Sequence, residues 1–72
     1  MNEMKVGDLV MFVDEGTYAK YFWGQIGTVE RYTQKGHDGN SHCRVRWMQT
    51  VPYHGRTTSA SDFQADCFKV IG

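Results

Sequence analysis

The chain has 72 residues, eight basic against eight acidic side chains, and 40% hydrophobic residues. That length fits one domain, residues 1–72, with a core of about a dozen side chains and little room for a deep catalytic pocket besides. Zero net charge argues against coating nucleic acid by bulk electrostatics. No apolar run approaches the ~20 residues that span a bilayer, and no basic start leads into an apolar leader. Only two cysteines, Cys43 and Cys67, are present, where a stapled secreted mini-domain usually has more. The chain therefore reads as a soluble, cytoplasmic protein with no membrane partner.

In chain order, residues 4–13 (MKVGDLVMFV) predict a tight turn at Gly7-Asp8 and then a strand. Alternation puts Val10 and Phe12 on one face and Leu9, Met11 and Val13 on the other. Because both faces are apolar, either both are buried or the second meets a partner, which leaves self-association open. Residues 14–23 (DEGTYAKYFW) read as a loop with four of the ten aromatic residues in six positions, Tyr18, Tyr21, Phe22 and Trp23. The spacing of Tyr18, Tyr21 and Phe22 also suits a single helical turn. These rings are either a lid over an undersized core or a ligand-binding wall of rigid apolar area with polar tips.

Residues 24–32 (GQIGTVERY) predict a turn opening into a strand, with Val29 as its core anchor. Residues 34–41 are a polar loop with the composition of a hairpin tip. Residues 42–48 (HCRVRWM) give the clearest alternation. Cys43, Val45 and Trp47 point inward; His42, Arg44, Arg46 and Met48 point outward. Residues 49–56 hold the only proline, Pro52, and predict a connection or edge strand, followed by a short strand over 56–60. Ser61 and Gln64 have capping-box spacing, which predicts a helical turn there with Phe63 turned inward. Residues 66–71 predict a closing strand with Phe68 and Val70 inside.

Charge is unevenly spread. Residues 31–56 carry five cations, Arg31, Lys35, Arg44, Arg46 and Arg56, against one acid, Asp38, and also hold all three histidines. A local basic face of this kind can bind where net charge does not.

The element order resembles an SH3-like barrel: all-β, about five strongly bent strands, with one short helical turn before the last strand. Within that group, VGDLVMFV followed by GQIGTVERY is similar to KOW, Tudor and mind-bomb-type modules. The resemblance runs from about Lys5 to Ile71. It implies binding on the loops and the exposed sheet face. A Tudor-type aromatic cage would draw on Tyr21, Trp23 and Tyr53. WGQIGTVERY is also loosely similar to plasmid-borne dihydrofolate reductases, which build one pore from four copies. Their Val-Gln-Ile-Tyr pore motif would fall near residues 56–60, where this chain has RTTSA, which speaks against that activity.

No catalytic motif is present, the carboxylates are dispersed, and no cofactor is implied. His37, His42, Cys43, His54 and Cys67 are ligand types without metal-site spacing, so no metal is expected. The chain reads as a non-enzymatic binding module, in the first place a nucleic-acid-binding accessory or regulatory protein that uses an arginine-bearing strand face. Arg44 and Arg46 project to the same side at about 6.5–7 Å, near the spacing of neighbouring phosphates. Arg31, Lys35 and Arg56 extend that site for DNA or RNA of modest, salt-sensitive affinity. The alternative is a protein–protein module, of viral or mobile-element type, starting at Met1 and complete by Gly72. It would dock on a larger complex through Tyr18, Tyr21, Trp23 and Tyr53.

Overall fold

Five antiparallel strands form one sheet in the order β4-β3-β2-β1-β5 in the computed structural model, which describes residues 4–34 and 39–72. The strands are β1 (Leu9–Phe12), β2 (Ile26–Thr33), β3 (His42–Tyr53), β4 (Arg56–Gln64) and β5 (Phe68–Val70). A four-residue helix, α1 (Ala19–Phe22), sits in the aromatic loop, and a 3-10 turn (Ala65–Cys67) precedes β5. The protein is all-β, and among the described residues no helix is long and apolar enough to cross a membrane.

The period-two pattern explains the core. Val10, Phe12, Val29, Cys43, Val45, Trp47 and Phe68 are buried, joined by Met4, Phe22 and Val51. Burying such side chains stabilises by about 1.5–3 kcal/mol each for the larger ones, before conformational entropy is subtracted. Leu9, Met11 and Val13 are only half-buried on the opposite side of β1.

Two irregularities shape the sheet. The β2–β3 register slips between Val29 and Arg31, so Glu30 is an extra residue opposite β3. The β3–β4 register slips between Arg46 and Val51, where four residues of β3 face one residue of β4, Ser59. Along β4 the side chains packed toward the interior are consequently Thr58, then Ser61 and Phe63, a change of phase that bends the strand. The Thr58 hydroxyl donates to the Ala60 carbonyl at 2.8 Å across this break.

The helical turn lies elsewhere than the capping-box spacing predicts. Residues 61–64 are strand, and the turn begins one residue later. The Ser61 hydroxyl accepts from Trp47 Nε1–H at 3.1 Å instead of from a helical amide. A buried indole N–H needs an acceptor, and this one fixes Ser61 in the β3–β4 ladder. Phe63 does turn inward, against Phe12 and Phe22. The predicted connection at residues 49–56 is also more regular than expected, since β3 continues through Pro52 to Tyr53.

Candidate functional site

The outward side chains of β2 and β3 bring Arg31, Arg44 and Arg46 onto one face, with Arg31 opposite Arg44. The Glu30 bulge aims a carboxylate between the arginines. Arg46 Nε donates to Glu30 Oε2 at 2.7 Å, Arg44 Nε lies 3.6 Å from Glu30 Oε1, and Arg44 also donates to Asp62 Oδ2 at 3.1 Å. The face is thus a cross-strand ion network rather than a bare cationic stripe. Such exposed pairs contribute about 0–1 kcal/mol each, so the network orients the arginines more than it stabilises the fold. Arg56 is not part of it. It pairs with Tyr53 at the hairpin turn, four residues and roughly 13 Å of strand from Ala60, the residue opposite Arg46. Lys35 lies outside the described residues, as do His37 and Asp38.

The aromatic residues separate into two places. Tyr18, Tyr21 and Tyr53 meet in one cluster: Tyr53 is 4.8 Å from Tyr21 in an edge-on contact and 6.2 Å from Tyr18. Phe63 joins by an edge-on contact with Tyr18 at 5.4 Å. Burial, and then the neighbouring Tyr18, raise the Tyr53 phenol above its usual pKa. Trp23 stands apart, 56% exposed and without a ring contact to the cluster among the described residues. The Tyr21, Trp23 and Tyr53 cage is therefore not assembled here. The residues that follow Trp23, Gly24 to Ile26, border with Met48 and Gln49 a separate shallow groove of about 250 Å³.

The β3–β4 turn holds the cluster in place. His54 and Gly55 have φ of 51° and 76°, the left-handed pair that two-residue hairpin turns require. A histidine there costs about 1–2 kcal/mol of backbone strain. Its ring lies 4.2 Å from Tyr53 and 5.3 Å from Tyr21, so it extends the aromatic wall.

Tyr18, 43% exposed, forms one bank of two adjoining grooves. The first, about 390 Å³, is bordered also by Tyr53, Phe63 and further residues of β4; the second, about 490 Å³, continues past Phe63 to Gln64 and is bordered by Asp14, His42 and Asp62. Sequence reasoning missed Phe63, Asp62 and Asp14 as parts of a site. The capping-box spacing drew Phe63 into a helical turn, and nothing local to residue 14 reveals its neighbour at 62.

Cys43 and Cys67 are free thiols. Burial pushes the Cys43 thiol up to about 12 and also raises Cys67. Among the described residues, no three His, Cys, Asp or Glu side chains gather to hold a metal, and no polar or charged residue is fully buried. The chain matches no protein-family model, and no curated protein or solved structure is similar enough to match it.

Proposed function

We propose that this chain is a non-enzymatic, SH3-like binding module that docks on a larger protein by seating a polypeptide segment in the groove bordered by Tyr18 and β4. The observation that carries this reading is the placement of Tyr18. It is a partly exposed ring, supported edge-on by Phe63 and packed beside Tyr53, on the border of a concave, partly apolar surface. Rigid aromatic area with a polar tip beside a groove is the chemistry of peptide recognition. The five-stranded order with bent β3 and β4 supports the SH3-like architecture, and two free thiols fit an intracellular setting.

Nucleic-acid binding is the second reading, favoured by the shared face of Arg31, Arg44 and Arg46. Glu30 and Asp62 offset two of these charges, which lowers the attraction for phosphate. One pair of measurements separates the readings. Random peptides displayed against the immobilised protein should yield binders that are lost with Tyr18→Ala, a variant whose exposed ring can be removed without emptying the core. Labelled single-stranded DNA and RNA should give no anisotropy change at about 50 mM salt. An anisotropy signal abolished by Arg44→Ala with Arg46→Ala, and no peptide recovered, would replace docking with nucleic-acid binding.

A further inference from the structure

The nine residues of β4 form one edge of the sheet, and β4 pairs with β3 alone among the described residues. Its other side presents main-chain donors and acceptors of the kind that recruit a further strand. Edges are commonly protected by charged residues, proline, a bulge or a covering element; past the slip at Ser59, residues 60–64 of β4 hold one charged side chain, Asp62, and neither lysine nor proline.

The grooves beside Tyr18 run along this edge. Thr58, Ser61 and Phe63 of β4 point toward the interior, whereas Ala60 and Asp62 stand opposite the outward Arg46 and Arg44. All five border the first groove, and Asp62, Phe63 and Gln64 border the second. Side chains from both faces of one strand can line the same groove only where it follows the strand's edge. Past the bend at Ser59, residues 60–64 extend it over roughly 13 Å at strand rise. The Gln64 end carries two carboxylates, Asp14, and Asp62 paired through one oxygen to Arg44, with His42 on the same border.

We infer that the docking segment binds as an added antiparallel or parallel strand along residues 60–64 of β4, past the bend at Ser59. One of its apolar side chains rests against Tyr18 and Phe63, and a lysine or arginine faces Asp14 and Asp62. The occupant is an extended, basic-apolar polypeptide segment of another protein. This inference rests on the docking reading and adds its geometry: main-chain pairing supplies the affinity and the groove supplies side-chain selection. A strand at this edge alternates its amides, one set directed at β4 and the next away from it.

Peptides recovered from a random dodecapeptide display against the wild-type chain provide the test, synthesised with each backbone amide methylated in turn. Methylation at alternate residues should weaken binding about tenfold, the loss of one main-chain hydrogen bond, and the intervening positions should tolerate it. Asp14→Asn with Asp62→Asn should weaken peptides that carry a lysine or arginine and leave their neutral analogues unchanged. Peptides that need Tyr18 yet tolerate methylation throughout would overturn strand addition while leaving groove docking intact. Recovery of no peptide would overturn both. A concentration-dependent dimer in sedimentation, abolished by Ala60→Pro while a folded monomer remains by circular dichroism, would show that a second copy occupies the edge and would also overturn the inference.

Discussion

Gly27→Ala should be among the most damaging single substitutions in this chain, for a reason specific to its surroundings. Gly27 lies in β2 opposite Trp47, and a Cβ there would meet Val45 Cγ1 and stand 2.5 Å from the Arg46 carbonyl oxygen. Val45 is fully buried and has no space to yield into, and the carbonyl belongs to the backbone of β3. The β2 and β3 backbones must therefore part to admit one methyl group. Overpacking of this kind costs about 1–3 kcal/mol, and the immobility of both neighbours places Gly27→Ala at the upper end. A 72-residue domain has a total stability of roughly 4–11 kcal/mol, so the loss is a large share of it. With a urea dependence of about 1 kcal/mol per molar, the unfolding midpoint should fall by roughly 2–3 M. Gly24→Ala is the control. Gly24 has φ of +81° and open space around its Cβ position, so only the backbone term of about 1–2 kcal/mol applies. Equilibrium urea unfolding followed by tryptophan fluorescence reads both. A Gly27→Ala midpoint within about 0.5 M of wild type, or one higher than that of Gly24→Ala, would refute the close-approach reasoning.

Ser61→Ala leaves the Trp47 indole N–H without its acceptor and should cost about 1–2 kcal/mol in the same assay, whereas Ser59→Ala, on an exposed residue, should be nearly neutral. Glu30→Gln removes the carboxylate shared by Arg44 and Arg46; stability should change by less than about 1 kcal/mol, and the change should shrink as salt is added. The raised Cys43 thiol gives a signed pH dependence. The folded state retains the proton above the thiol's ordinary value of 9.0 while the unfolded chain loses it, so this contribution is intact below pH 9 and is lost as pH rises from 9 toward 12. Urea midpoints measured between pH 8 and pH 10.5 should fall for wild type and fall less for Cys43→Ala. In thiol labelling at pH 8, half-buried Cys67 should react before buried Cys43.

The strands that alternate cleanly were legible in the sequence. Cys43, Val45 and Trp47 are buried as their spacing requires, and Val10 and Phe12 are buried on the same principle. The two glycines of GQIGTVERY were legible as important but not as different. Gly24 serves a turn that needs positive φ, and Gly27 serves a contact too close for a methyl group. The second role depends on a strand eighteen residues later, which no local pattern encodes. Ser61 shows the limit more sharply. Its spacing to Gln64 is a sound local signal for a helical turn, and a tertiary acceptor role for Trp47 overrides it. The arginine face was legible in its alignment but not in its charge. Glu30 occupies the bulge because the β2–β3 register slips there, and only the register reveals that its carboxylate reaches both arginines.

These two misread features act on the same strand, which is why they bear on function together. The Trp47–Ser61 bond ties β4 to the core as a strand and so creates the edge that a helical turn would have interrupted. The Arg44–Asp62 pair crosses from β3 to β4 near the groove's Gln64 end and holds Asp62 at its border. An arginine engaged in this way presents less charge to phosphate, while the same interaction positions a carboxylate for a cationic side chain. Asp62 remains 67% exposed, so its second oxygen is accessible to a ligand without breaking the internal pair. On the docking proposal, the face that reads as a phosphate site from β3 alone becomes, once β4 is in place, a support for the groove beside it. Asp62→Asn separates these roles: loss of peptide binding with no gain in nucleic-acid affinity follows from the support role, and a gain in nucleic-acid affinity alone follows from a phosphate site masked by its own acid.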